Sequence, residues 1–93
     1  MVSAIILIEC ERQHVEEAAE RLAALEGVSE VYSVAGRFDL VAIARVAEVE
    51  DLARVVTRHL VQVPGVGRTE TMVAFRAFSR HDLEAMFSIG MED

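Results

Sequence analysis

A short turn near the middle of the sequence carries the side chains best suited to hold a small polar molecule. Residues 34–39 read Val-Ala-Gly-Arg-Phe-Asp, and Gly36 is the residue type that adopts positive φ without a Cβ penalty. The carboxylate of Asp39 could pair with an ammonium group if the turn lies at a subunit boundary. Arg37 could bind a carboxylate, and Phe38 could wall a pocket. The simpler alternatives are a turn residue for Asp39, a solvated cation for Arg37 and a core anchor for Phe38.

Two threonines further along the chain share one side of a predicted strand. Thr69 and Thr71 are two residues apart, so their hydroxyls point to the same face of a strand. Each hydroxyl can donate and accept a hydrogen bond, which suits a polar ligand. Threonine is also simply favoured in strands. The spacing alone therefore favours an ordinary strand over a ligand site.

The remaining reactive residues form no recognisable catalytic or metal-binding pattern. Cys10 and His14 are four residues apart, but two ligands do not make a zinc site, and His59 and His81 add no suitable spacing. No serine lies in a Gly-x-Ser-x-Gly motif, and the Gly-x-Gly at residues 65–67 lacks the third glycine of a nucleotide loop. We therefore expect no metal and no other cofactor.

The composition fits one folded domain that does not bind nucleic acid. The 93 residues are 53% hydrophobic and 5% aromatic, which allows a modest aliphatic core. Sixteen acidic residues against nine arginines and no lysine give a net charge of -7, so a phosphate backbone would be repelled. Cys10 is the single cysteine, and no apolar run is long enough for a signal core or a membrane span. We expect a cytoplasmic chain without direct contact to nucleic acid or membrane.

The spacing of apolar residues predicts the order strand, helix, strand, strand, helix, strand. In chain order these elements are expected at residues 2–8, 14–26, 28–35, 39–46, 48–63 and from 67 or 68 to 78. Gly27 ends the first helix, and Pro64 with Gly65 ends the second. A brief terminal helix is expected in the tail at residues 79–93.

This order predicts an α+β fold, the ferredoxin-like βαββαβ sandwich, with both helices on one face of a four-stranded sheet. The short link at Gly36 makes the second and third strands an antiparallel hairpin. The first and third strands are apolar at both parities, so both of their faces should be buried. We therefore expect a second copy to cover the open face, sheet against sheet, as a dimeric α/β barrel. The alternative is a partial cover by residues 80–91.

Two motifs, in this order and spacing, make the chain resemble the effector-binding domain of the Lrp/AsnC family, also called the RAM domain. Residues 34–39 resemble the family's Gly-x-Tyr/Phe-Asp turn. Val-Pro-Gly-Val at residues 63–66, followed by Thr-Glu-Thr at residues 69–71, resembles its Pro-Gly-Val-x-x-Thr-x-Thr segment. The similarity covers residues 1–78, and the helical tail at residues 79–93 departs from the family pattern.

The resemblance implies a module of transcription regulation that binds a small molecule, usually an amino acid, between dimers. The ligand-binding residues it implies are Gly36, Arg37, Phe38, Asp39, Thr69 and Thr71. It also implies a dimer that assembles further into a ring such as an octamer of four dimers. The winged helix-turn-helix that usually precedes this domain has no counterpart before Val2, so the chain resembles a stand-alone form without a catalytic step.

Two alternatives from other classes stay open. Dimeric α/β barrels include small oxygenases and isomerases, and Tyr32 and His59 are the candidates that such an enzyme would place in an apolar cavity. The chain could instead be a ligand-free subunit that co-assembles with full-length Lrp/AsnC regulators or with a metabolic enzyme. Its acidic surface suits that role.

Overall fold

Four strands and two helices follow one another in the predicted order. The structure is a computed structural model that describes residues 1–78 and residue 80. The strands are β1 (Val2–Cys10), β2 (Val28–Ser33), β3 (Leu40–Val46) and β4 (Val66–Ala74), and the helices are α1 (Val15–Ala23) and α2 (Val49–Arg54). The predicted terminal helix lies outside the described residues.

The four strands form one antiparallel sheet in the order β2-β3-β1-β4. β3 pairs with both β2 and β1, and β1 pairs with β4 along its other edge. α1 packs mainly against β2 and β3, whereas α2 packs against β3 and β1. The predicted ferredoxin-like α+β fold and its central hairpin are therefore confirmed.

The core lies between the helices and one face of the sheet. Its largest fully buried side chains are Ile6, Ile8, Leu22, Leu40 and Leu60, and burying each of them contributes about 1.5–3 kcal/mol. Among the described residues, no polar or charged residue is buried. The space between helices and sheet is therefore filled by aliphatic groups.

The opposite face of the sheet is apolar, and none of the residues that the structure describes covers it. Its central side chains are Ile5, Leu7, Val41 and Ile43, which are half-buried by their neighbours within the sheet. The prediction that both faces are buried therefore holds only for the helix side of a single protomer, because nothing in the described part of the chain packs on the other side.

The second helical segment differs from the single helix predicted at residues 48–63. Only Val49–Arg54 is α-helical; Val55–His59 forms a π-helical turn and Leu60–Gln62 a 3₁₀ turn. Branched side chains at Val55, Val56 and Thr57 crowd the helix. The Thr57 hydroxyl also donates to the Ala53 carbonyl at 2.7 Å, a contact that often bends helices.

Several predicted element ends were wrong by a few residues. β4 stops at Ala74 rather than residue 78, because Ala74 already pairs with Ser3 near the start of β1. β1 extends two residues beyond the predicted end, to Cys10, which pairs with Val66 across a register shift. α1 ends at Ala23 rather than residue 26. Pairing partners that are distant in sequence set the strand ends, so local patterns do not reveal them.

Candidate ligand-binding site

The Gly36 turn joins β2 to β3 and extends past the last paired residues of this hairpin, Ser33 and Leu40. The Val34 N–H donates to the Asp39 carbonyl at 3.0 Å and closes the turn. Gly36 has φ +134°, and a Cβ placed there would meet nothing within 4 Å. Its backbone conformation favours glycine, while the space around it is open to another molecule.

Asp39 connects this turn to β1 through two hydrogen bonds. Its N–H donates to the Ile8 carbonyl at 2.9 Å, and its Oδ2 accepts the Cys10 N–H at 2.8 Å. This second bond is partly buried and joins residues 29 positions apart. If Asp39 were only a turn residue, its side chain would be expected to bond the local backbone of the turn. No pattern in the sequence predicts the bond to Cys10 instead.

The Asp39 carboxylate also influences the Cys10 thiol. Burial is the largest cause that raises the pKa of this thiol, followed by the negative charges of Asp39 and Glu11. The thiol therefore stays protonated, and so a poor nucleophile, to a higher pH than an ordinary cysteine.

Thr69 reaches the same end of the sheet as the turn. Ile8 pairs with Leu40 on one side and with Thr69 on the other, so about 10 Å separates Thr69 from the start of β3. Thr71 pairs with Ile6, one strand period further from the turn. Thr69 is half-buried and Thr71 is exposed. The structure therefore groups Asp39 and Thr69 near the turn and places Thr71 along the edge strand.

The two other predicted residues lie on the turn itself. The Arg37 side chain is exposed, and Phe38 is half-buried. Among the described residues Arg37 makes no ion pair. Its guanidinium is therefore accessible to a ligand or to a neighbouring copy.

A cleft of about 370 Å³ lies at the other end of the sheet. Its lining residues are Glu26, Gly27, Arg45, Val46, Ala47, Asp51, Arg54, Val55 and His59. Val46 pairs with Val2 at the start of β1, whereas Leu40 beside the turn pairs with Ile8. Six residues of β3 therefore put about 20 Å between the two places. Sequence reasoning missed this cleft, because charged residues on a helix resemble an ordinary solvated face.

The enzyme alternative needed Tyr32 and His59 in one apolar cavity, and the structure separates them. Tyr32 pairs with Val41 on the open face of the sheet, and its hydroxyl donates to the Glu30 carboxylate at 2.6 Å, which is the main cause that raises the Tyr32 pKa. His59 lines the cleft beside α2 on the helix side. The two side chains do not form a common site.

Cys10 and His14 both lie close to Gly65, so packing against this glycine explains their proximity. Gly65 approaches so closely that a Cβ there would lie 2.5 Å from the His14 Cβ and 3.5 Å from the Cys10 Sγ. Within residues 1–78 and residue 80, no group of three or more His, Cys, Asp or Glu side chains is arranged to hold a metal ion.

Length and polarity rule out a membrane-crossing role for each helix in the described part of the chain.

Comparison with known proteins identifies the class of this domain. The family model of the Lrp/AsnC ligand binding domain matches residues 3–83. The chain therefore belongs to the Lrp/AsnC ligand-binding domain family, which confirms the resemblance read from the two motifs.

Similar domains occur both as part of a longer regulator and as the whole of a crystallised chain. An uncharacterized HTH-type transcriptional regulator of Pyrococcus furiosus, PF0250, is 42% identical over 60 residues, which are 64% of this chain and 40% of that protein. The chain thus spans about two-fifths of the length of this curated relative. The crystal structure of TTHA0845 from Thermus thermophilus is 46% identical, with a TM-score of 0.80, and covers 86% of this chain and 100% of its own.

A third protein has a known ligand. The feast or famine regulatory protein Rv3291c from M. tuberculosis, solved in complex with L-methionine, is 29% identical with a TM-score of 0.71. The match covers 85% of this chain and 53% of that one. The domain therefore has the fold of regulators that include an amino-acid-bound member.

Proposed function

We propose that this chain is an amino-acid sensor without a catalytic step, whose ligand binds beside the Gly36 turn at a boundary between copies. The observation that carries the proposal is the exposed turn, held to β1 through Asp39 and left open around Gly36. Membership of the family and the L-methionine complex of the M. tuberculosis relative support it.

The ligand would be held by charge and hydrogen bonds. The Asp39 carboxylate attracts the α-ammonium group, while backbone N–H groups of the turn and the Arg37 guanidinium attract the α-carboxylate. Phe38 supplies an apolar wall, and the Thr69 and Thr71 hydroxyls supply further donors and acceptors. Because Asp39 Oδ2 already accepts the Cys10 N–H, the proposal assigns Oδ1 to the ligand.

A second copy would cover the open face of the sheet. The half-buried aliphatic residues at its centre are flanked by Tyr32 and Met72, which are 49% and 48% exposed. Apolar surface of this kind favours association in water. Packing of two such faces would form the dimeric α/β barrel, and contacts through the Gly36 turns would join dimers into a ring such as an octamer.

The ligand proposal is tested by calorimetric titration of single amino acids into the wild type and three variants. Asp39→Asn removes the charge but keeps an oxygen that can accept the Cys10 N–H. Thr71→Val removes one exposed hydroxyl, and Glu50→Gln is the matched control on the exposed side of α2. We expect Asp39→Asn to weaken the binding of a confirmed amino acid about tenfold or more and Thr71→Val less. The control should leave binding unchanged.

Sedimentation at micromolar concentration tests the assembly. A folded monomer in the presence and absence of amino acids would contradict the shared-boundary site. Unchanged amino-acid binding in Asp39→Asn would contradict the assigned residues even if the protein is a dimer.

A second candidate function is co-assembly with full-length regulators. It is favoured by the 42% identity to a domain of an HTH-type relative, because similar domains can exchange partners through the same sheet face. The stand-alone role is favoured by the T. thermophilus neighbour, which matches over its whole chain. Pull-down from native lysate separates the two, since recovery of homo-oligomer alone counts against co-assembly.

A further inference from the structure

The cleft between the Glu26–Gly27 connection, the end of β3 and the second helical segment lies about 20 Å from the Gly36 turn and has no part in the proposed effector site. Its volume of about 370 Å³ lies at the lower end of the range for small-molecule pockets, about 300–1,000 Å³. The cleft therefore has room for a molecule of the size of a small metabolite.

The backbone around the cleft is built in an unusual way. Gly27 has φ +94°, and a Cβ there would lie 2.9 Å from Val55 Cγ2 and 3.1 Å from Val46 Cγ1, so only glycine fits between β3 and the second helix. Val55 and His59 begin and end the π-helical turn. Such turns are often found at functional sites, and here the turn supplies two of the lining residues.

Charges of both signs meet in the cleft. Arg45 and Arg54 balance Glu26 and Asp51, in a chain whose net charge is -7. A ligand with two negative groups would meet two carboxylates in the lining. A ligand that carries one charge of each sign matches it better.

The four charged groups differ in how far they are already paired. Asp51 accepts the Glu48 N–H at 3.1 Å and pairs with Arg54 at 3.3 Å. The Arg45 guanidinium lies 3.7 Å from Glu30, which is too long for a hydrogen bond. Glu26 makes no ion pair or side-chain hydrogen bond with any residue that the structure describes. Glu26 is therefore the carboxylate open to a ligand, and the two guanidinium groups retain donors for one.

We propose that this cleft is a second ligand site, which takes a small zwitterion such as a free amino acid. The ligand's carboxylate binds Arg54, with Arg45 at the rim, and its ammonium group binds Glu26. Two separate sites would let the domain respond to amino acids at the turn and at the cleft independently.

Nuclear magnetic resonance of the ¹⁵N-labelled full chain tests this proposal. Single amino acids are titrated to about 10 mM, and the amide signals of Gly27 and His59 report on the cleft. The variants Glu26→Gln and Arg54→Gln each remove one charge at an exposed position, so thermal melting should show them folded. Arg58→Gln is the control, because Arg58 is exposed on the same helical segment but does not line the cleft. Succinate serves as a probe with carboxylates and no ammonium group.

We expect at least one amino acid to shift both amide signals saturably. Glu26→Gln and Arg54→Gln should each weaken this binding about tenfold, and Arg58→Gln should not. Asp39→Asn should leave the cleft signals unchanged, which separates this site from the one at the turn.

Three results would overturn the proposal. One is the absence of shifts at Gly27 and His59 with every amino acid tested. Another is an equal response to succinate that Glu26→Gln does not alter, which would mean adventitious anion binding. The third is an equal loss in Arg58→Gln and Arg54→Gln, which would mean a general effect of surface charge.

Discussion

Two glycine turns at the same end of the sheet differ in what surrounds them. Gly36 has φ +134°, and a Cβ placed there would meet open space. Gly65 has φ +92°, and a Cβ placed there would lie only 2.5 Å from the His14 Cβ. The Gly65 carbonyl also accepts the Glu11 N–H at 3.0 Å. Gly65 therefore holds the connection before β4 against the connection after β1, while Gly36 leaves room for another molecule. A glycine in the sequence does not by itself separate these two roles.

The largest effect in this comparison is expected for Gly65→Ala. The left-handed backbone and the overlap with His14 should together lower the free energy of unfolding by about 2–4 kcal/mol. Urea denaturation measures the loss. Gly67→Ala is the control, because its Cβ would lie 3.4 Å from the Glu9 carbonyl oxygen without a left-handed φ. An equal loss in both variants would show that close packing on His14 is not what requires glycine at position 65.

A smaller effect is expected for Asp39→Ala. The variant leaves the partly buried Cys10 N–H without its acceptor, which should cost about 1–2 kcal/mol in urea denaturation. Asp39→Asn keeps an acceptor oxygen and should lose less. If both variants lost the same stability, the negative charge of Asp39, rather than its hydrogen bond, would hold the turn to β1.

Gly36→Ala should cost less stability than Gly65→Ala, about 1 kcal/mol, because only the backbone conformation is strained. The same variant should weaken amino-acid binding at the turn, because the added methyl group enters the open space that the proposal assigns to the ligand. Thermal unfolding and calorimetric titration on the same sample measure the two effects. A loss of stability as large as that of Gly65→Ala would mean that the space around Gly36 is not open.

The smallest change is expected in the reactivity of Cys10 beside the Asp39 contact. Because burial and the negative charges of Asp39 and Glu11 raise the pKa of its thiol, the midpoint of its alkylation rate against pH should lie above that of an exposed cysteine. Asp39→Asn removes one of the negative charges that raise the pKa, so the midpoint should move down. Iodoacetamide alkylation followed by mass spectrometry measures it, and an unchanged midpoint would show that Asp39 does not act on the thiol.

The fold was predictable because the residues that become buried recur in the sequence at the spacing of a strand or a helix. Ile6 and Ile8 alternate with half-buried neighbours along β1, and Leu22 and Leu60 fall on the apolar faces of their helical segments. The order of elements, the hairpin and the sheet followed from these patterns. The π-helical turn did not, and it includes a side-chain hydrogen bond, from the Thr57 hydroxyl to the Ala53 carbonyl, that apolar periodicity does not reveal.

The candidate site was predictable only in part. The Gly36 turn and the strand position of Thr69 can be read locally. The bond from Cys10 to Asp39 joins residues far apart in sequence, and the cleft at Gly27 takes its lining from the connection after α1, from β3 and from the second helical segment. Contacts of this kind depend on how helices and strands pack against one another. The local pattern of a single sequence does not predict which residues then meet.

The π-helical turn at Val55–His59 has a consequence for the length of the chain. A turn of this kind accommodates one residue more than regular α-helix, and one residue corresponds to a rotation of about 100°. Deletion of Thr57 would shorten the spacing between the buried residues Val55 and Leu60 from five residues to four, so an uninterrupted α-helix would form with Leu60 still facing the core. The wider turn therefore absorbs one additional residue, and a homologous chain that lacked this residue would keep the same apolar pattern after the gap in a regular helix.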